Sequence, residues 1–197
     1  MMQIRLSGSG GQGIILAGII LAEAAVIEGK EVVQTQDYGP EARGGSSKAE
    51  CIISEDEIDY PKVMVADVVL CMKQASYNQY GRFVDEKCSV IVDTTFVKEF
   101  ERHPNIRALP ISKTAVEEFG KALFANIIAL GVIVGVTEVV SRESMEKAVL
   151  ARVPKGTEKL NRKALTVGWK MAKGLPIAEI QKEQEMEVCL APKPCLS

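Results

Sequence analysis

Histidine is nearly absent from this 197-residue chain, His103 being the only one. That removes multi-histidine metal sites and leaves one candidate for a histidine general base, so much of hydrolytic and metal-assisted chemistry is excluded. The five cysteines (Cys51, Cys71, Cys88, Cys189 and Cys195) are odd in number, and their spacing matches neither a zinc ribbon nor an iron–sulfur ligand run. There is no excess of positive charge: the net charge is −2, which leaves no global field to hold nucleic acid or an anionic membrane. Nor is there an apolar run long enough to span a bilayer. The longest, Ala122 to Val136, has Asn126 as its one polar member and falls short of the roughly 20 residues required. The opening MMQIRLSGSGGQG has glycines where an export signal would have an apolar stretch. A cytoplasmic, reducing setting is expected, with Cys51, Cys71 and Cys88 as buried thiols in apolar strands.

What is present is an ordinary globular composition, 47% hydrophobic and 25% charged with 16 glycines and 8 prolines, in a chain long enough for one sizeable core. Met2 to Ser7 alternates as a short strand and runs into GSGGQG, after which Ile14 to Ile27 has helical length and apolar residues on every face. Gly29 is a natural stop, and Glu31 to Gln36 reads as a second strand. The strand–turn–helix–strand order predicts a βαβ unit with these two strands parallel. A turn-rich loop, Asp37 to Ser47, leads to a strand at Lys48 to Ser54. Ala66 to Met72 and Cys88 to Asp93 read as central strands, with a helix at Gln74 to Phe83 between them and an edge strand at Ile106 to Pro110. Helices are expected over Thr114 to Val136, Glu143 to Ala151 and Thr157 to Lys173, with Gly131 and Gly135 letting another element approach closely. On the last helix Lys159, Lys163, Thr166, Lys170 and Lys173 form a basic outer face, and Leu160, Ala164, Val167 and Met171 an inner one. The fold class is α/β, a three-layer α/β/α arrangement with a Rossmann-like, mainly parallel sheet and a helical C-terminal part. Residues 1–173 form the domain and 174–197 a tail, in which Ile177 to Val188 could add one helix.

Two clusters carry chemistry. Gly8, Gly10 and Gly13, with Gly11 and Gln12 between them, fit G-x-G-x-x-G directly after a strand and before a helix. Missing side chains allow a tight turn and let a phosphate reach backbone N–H groups at the positive end of the helix. Ile14 and Ile15 stand where a P-loop would need its lysine and hydroxyl, so this is not a P-loop. In a dinucleotide site Asp37 would be the ribose-binding acid, and a glycine turn can also serve only to pack helix on strand. The second cluster is Tyr38, Gly39, Pro40, Glu41, Ala42, Arg43, Gly44 and Gly45. Arg43 beside two glycines can offer a bidentate guanidinium to a phosphate or carboxylate, and Tyr38 a stacking face. The alternative is a rigid loop with internal pairing, or one that docks on another subunit. Both clusters belong at the carboxyl edge of the sheet, where open α/β folds bind ligands. His103 reads as a solvent-exposed loop residue and Asn126 as a hydrogen-bonded core or interface residue. No nucleophile, base and orienting acid can be assembled.

The segments GSGGQGIILAGIILAEAA, YGPEARGG, SEDEIDYP, ADVVLCMKQASY and the N-x-x-A-L-G of Asn126 to Gly131 resemble the gamma subunit of the 2-oxoacid:ferredoxin oxidoreductases, the enzymes acting on pyruvate, 2-oxoisovalerate or 2-oxoglutarate. The resemblance spans Gln3 to Lys173. It implies one subunit of an enzyme that converts a 2-oxoacid and coenzyme A to acyl-CoA and CO2 while reducing ferredoxin, and a chain inactive by itself. Its partners would be alpha and beta subunits, with a delta or ferredoxin-like subunit in some assemblies. Thiamine diphosphate, magnesium and iron–sulfur clusters would sit on those partners. Coenzyme A is the candidate ligand here, held by Gly8, Gly10, Gly11, Gln12, Gly13, Tyr38, Arg43, Gly44 and Gly45, with no catalytic residue and no metal ligand. The rivals are a free-standing NAD-type oxidoreductase and a purely structural interface domain.

Overall fold

A computed structural model describes residues 1–38 and 46–175, with Tyr38 described by its backbone alone. Gly39 to Gly45, the tail helix expected at Ile177 to Val188, Cys189 and Cys195 lie outside the described residues. Six strands, β1 (Met2–Ser9), β2 (Glu31–Tyr38), β3 (Ser46–Ser54), β4 (Val68–Cys71), β5 (Ser89–Asp93) and β6 (Ile106–Leu109), form one sheet in the order β2-β3-β1-β4-β5-β6. The β1/β4, β4/β5 and β5/β6 pairs are parallel, and β3 runs antiparallel to both β1 and β2. β1 and β2 therefore point the same way, as the βαβ reading requires, but they are not neighbours. The hairpin strand β3 lies between them, because Lys48 to Ser54 returns beside β1 before the next crossover. All four residues of β4 are buried, as a strand covered on both faces should be.

The helices are α1 (Ile14–Ile27), α2 (Gln74–Ser76), α3 (Ile111–Phe119), α4 (Ala125–Thr137), α5 (Arg142–Arg152) and α6 (Glu158–Lys173). One sheet face presents Ile4, Leu6, Ala49, Cys51, Leu70 and Ile91 to α1 and to the α3–α6 layer. The other presents Ile52, Val69, Val90 and Val92 to Tyr77, Val97 and neighbouring loop residues, so the third layer is thin. Its helix is α2 continued as a π turn, Tyr77–Gly81, and it stops short of Phe83. α1 keeps the expected span. Gly29 at φ 76 ends it, and the amides of Gly29 and Lys30 return to the Val26 and Ala25 carbonyls.

The helix expected over Thr114 to Val136 is two. Gly120 at φ 68 caps α3, and a 3-10 turn at Ala122–Phe124 redirects the chain into α4. α4 then crosses α6 on glycine: a Cβ on Gly168 would strike the Ile128 carbonyl, and one on Gly131 the Leu165 carbonyl. The basic outside expected of α6 is interrupted. Lys170 is buried, Lys163 pairs with Glu118 at 3.0 Å, and Leu160, assigned to the inner face, is exposed. The crossing on Gly131 and Gly168 sets how α6 is turned, and the sequence period alone does not contain that contact.

Candidate functional site

The carboxyl ends of five strands share one edge of the sheet, and the glycine turn stands on it. β1 pairs Ser9 with Ser46 and Gly8 with Ser47, while β2 pairs Tyr38 with Ser47. The residues flanking Gly39 to Gly45 thus end beside the glycine turn, while Arg43, Gly44 and Gly45 themselves lie outside the described residues. Gly10 and Gly11 are exposed, with φ 91 at Gly11 and φ 71 at Gly13, conformations that favour glycine. The turn closes when the Gln12 amide donates to the Ser9 carbonyl at 3.1 Å.

The turn residues divide by task. Gln12 folds inward: its Oε1 accepts from the Ser9 amide at 2.6 Å and its Nε2 donates to the Met72 carbonyl at 3.1 Å, lashing the turn to the end of β4. Gly8 is buried beneath it, and a Cβ there would lie 2.6 Å from Gln12 Oε1. Gly8 and Gln12 are thus turn scaffold, and a ligand would meet Gly10, Gly11 and Gly13. Gly13 is the N-cap of α1, with no side-chain cap and no acid in the first turn. The amides of Ile14, Ile15 and Leu16 have no acceptor among the described residues. Such a helix start attracts an anion.

Asn126 reaches the same point from α4. It is 5% exposed, its Oδ1 accepts from the Ile127 amide at 2.9 Å, and a Cβ placed on Gly13 would lie 2.5 Å from its Nδ2. The core reading of Asn126 holds, and its contact with the glycine turn is what sequence reasoning missed. The two residues are 113 apart in the chain.

Several other polar groups organise the edge. Asp93, fully buried at the end of β5, accepts from the amides of Thr95 at 3.0 Å and Ser112 at 3.2 Å, fixing the turn after β5 to the start of α3. Beside it lies a cleft of about 350 Å³ lined by Thr94, Phe96, Lys98, Ser112, Lys113 and Val116. Ser76, wholly buried after β4, has a hydroxyl without a partner among the described residues. His103 is only half exposed: its ring contacts the Asp85 carbonyl at 3.1 Å and accepts from the Asn105 amide at 3.2 Å, a loop-fixing role.

On the thin face, Arg5 Nε meets Glu50 Oε1 at 2.6 Å, and its guanidinium lies 5.2 Å from the Tyr80 ring centre. Burial pushes the Tyr80 hydroxyl up, with Arg5 partly countering it. This pair was legible only once the β1/β3 register set Arg5 opposite Glu50. Cys51, Cys71 and Cys88 are unbridged and buried, and burial pushes their thiols up to about 12, 12 and 11. Such thiols are inert and poor metal ligands. Among the described residues no three His, Cys, Asp or Glu side chains gather as a metal site, and no helix is long and apolar enough to cross a membrane.

Asp37 does not stand where a dinucleotide site needs it. It is exposed on edge strand β2, opposite Lys48, with β3 between it and the glycine turn of β1. The NAD-type alternative loses its second feature there.

The sequence profile of the pyruvate ferredoxin/flavodoxin oxidoreductases matches residues 3–171. The chain belongs to this family. Among curated members, the 2-oxoglutarate synthase subunit KorC of Methanocaldococcus jannaschii is 47% identical, the match covering 88% of this chain and 95% of that one. KorC of Archaeoglobus fulgidus is 42% identical over 87% of this chain and 88% of that one. Among solved structures, the gamma subunit of a keto/oxoacid ferredoxin oxidoreductase from Geobacter sulfurreducens PCA superposes with a TM-score of 0.78 at 43% identity, covering 88% of this chain and 99% of that one. The 2-oxoglutarate:ferredoxin oxidoreductase of Magnetococcus marinus, solved with 2-oxoglutarate, coenzyme A and succinyl-CoA bound, shares the fold at a TM-score of 0.79 and 21% identity, over 89% of this chain and 31% of that one. Family membership favours the oxidoreductase-subunit reading over the free-standing NAD-type enzyme.

Proposed function

We propose that this chain is the gamma subunit of a 2-oxoacid:ferredoxin oxidoreductase and that its glycine turn holds phosphate oxygens of coenzyme A. The observation that carries the reading is the uncapped start of α1 at an exposed glycine turn, on the sheet edge where residues 39–45 begin and end. Amides without acceptors at a helix start suit a phosphate. In this reading Gly10, Gly11 and Gly13 provide backbone, Gly8 and Gln12 hold its shape, and Tyr38, Arg43, Gly44 and Gly45 are assigned to the same ligand on their sequence alone. The KorC relatives support 2-oxoglutarate as the 2-oxoacid. Coenzyme A supplies the thiol that takes up the acyl group.

Thiamine diphosphate, magnesium and iron–sulfur clusters are assigned to the alpha and beta subunits and any ferredoxin-like subunit. Residues 1–173 act as one domain and 174–197 as an appended tail, in the cytoplasm. The test is anoxic reconstitution with the alpha and beta subunits, with Arg43→Ala as the variant. A rise of about tenfold in KM for coenzyme A is expected, the size of a lost charge-assisted contact. An unchanged KM for this variant and for Gly10→Ala would leave the chain as an interface domain.

A further inference from the structure

We propose that the cleft at the amino end of β1 is a docking surface for a segment of the alpha–beta part of the enzyme that presents a large apolar side chain between lysines or arginines. The inference rests on the reading of this chain as a subunit of the oxidoreductase and is independent of what the glycine turn binds. Gln3 near the start of β1 and Ser54 at the end of β3 border a cleft of about 410 Å³, at the opposite end of β1 from the glycine turn. At a rise of roughly 3.3 Å per residue the two lie about 20 Å apart. Ile52, Ile58, Tyr60 and Met64 line the cleft with apolar surface. Tyr60 is 54% exposed, Met64 69% and the adjacent Val65 65%. Single exposed apolar side chains are ordinary, but a cluster of them around a cleft marks an interaction surface.

The segment that carries them is held in place. The Met64 amide donates to Gln3 Oε1 at 2.8 Å, Arg5 Nη2 donates to the Val63 carbonyl at 3.1 Å, and the Asp56 amide donates to Ser54 Oγ at 3.1 Å. Val63, next to the exposed Met64, is buried in the core of the thin face. Tyr60 and Met64 are therefore displayed on a surface ordered before a partner arrives, which lowers the entropy cost of binding. The charge around them is nearly of one sign. Asp56, Glu57 and Asp59 line the cleft without an ion pair among the described residues, whereas neighbouring Glu55 pairs with Lys30 at 3.4 Å. Lys62 is the only lysine or arginine on the lining among the described residues. The cleft beside β5 has the reverse character, with Lys98 and Lys113 on its lining and no acid. An apolar cleft edged by unpaired carboxylates complements an apolar anchor flanked by cations, whose aliphatic stems can also cover Tyr60. The segment Ser54 to Pro61, to which the glycine turn gives no task, acquires one.

The test is titration of the full chain into the alpha–beta complex under anoxic conditions, with the binding constant read by biolayer interferometry. Glu57→Lys with Asp59→Lys is expected to weaken binding about tenfold or more, and Tyr60→Ala with Met64→Ala by a similar factor. The same charge change at two exposed sites elsewhere, Glu86→Lys with Glu143→Lys, should leave binding within about twofold. A loss of less than threefold in either cleft variant, or an equal loss in the control, overturns the proposal. So does a loss seen only in self-association of the chain, which would make a second copy the occupant. Should Glu57→Lys with Asp59→Lys fail to fold, Glu57→Gln with Asp59→Asn decides, and a loss of less than threefold overturns the proposal there as well. The parent chain separates the two levels. If it binds and the cleft variants bind equally well, this inference alone fails; if the parent itself does not bind, the reading of the chain as a subunit of that enzyme fails with it.

Discussion

At the scale of single residues, the glycine pattern was visible in the sequence, but its division of labour was not. Gly8 and Gln12 fit a phosphate-binding motif on spacing, yet Gln12 spends both ends of its amide on Ser9 and Met72 and covers Gly8. Gly13 is the position with the most at stake. Gly13→Ala must hold a left-handed conformation, costing roughly 1–2 kcal/mol, and must also displace Asn126. We expect stability to fall by at least about 1 kcal/mol, read as a lower urea midpoint.

Glu28 sets a pH dependence. Burial pushes its carboxyl up, but hydrogen bonds from the Ser141 amide and hydroxyl, Ser144 and Lys30 outweigh this and hold it at about 2 against an ordinary 4.5. A carboxylate depressed in the folded state stabilises fully above its unfolded value and loses that contribution as pH falls toward the folded one. Glu28→Gln should therefore be less stable than the parent at pH 6, and the gap should close between pH 4.5 and 2, followed by urea unfolding across that range. Thiol chemistry gives a second check. In the native chain Cys51, Cys71 and Cys88 should resist alkylation at pH 8 and react only after unfolding, as peptide mass mapping would show.

At the scale of elements, strands and helix α1 were legible because their apolar runs are bounded by glycine and charge. The misread parts have separate causes. One helix was expected from Thr114 to Val136 because Gly120 is tolerable inside an apolar pattern, whereas its φ of 68 ends α3. β3 entered between β1 and β2 because an antiparallel return is as compatible with the loop Asp37 to Ser47 as a crossover is. The rotation of α6 follows from Gly131 and Gly168, which let α4 and α6 approach with backbone against backbone. Gly168→Ala should cost about 3 kcal/mol, the upper part of the range for an overpacked core, because the obstacle is a carbonyl that cannot turn aside. Leu160→Ala on the same helix is exposed and should change stability by no more than about 0.5 kcal/mol. Chemical denaturation of both variants tests the contrast.

At the scale of the whole molecule, the sheet divides the protein into unequal halves. Four helices beyond α1 thicken one face, while the other is closed by a two-turn segment and loops tied by Arg5, Glu50 and Tyr80. The carboxyl edge gathers the glycine turn, the residues on either side of Gly39 to Gly45 and the end of β5. The scarcity of histidine and the unpatterned cysteines are the composition of a subunit that, on the proposed reading, carries no redox group of its own. The measurement that tests this account most directly is ferredoxin reduction, dependent on 2-oxoglutarate and coenzyme A, by the alpha and beta subunits with and without this chain under anoxic conditions. The account predicts full turnover only when the chain is present. Equal activity without it, at the same KM for coenzyme A, would contradict it.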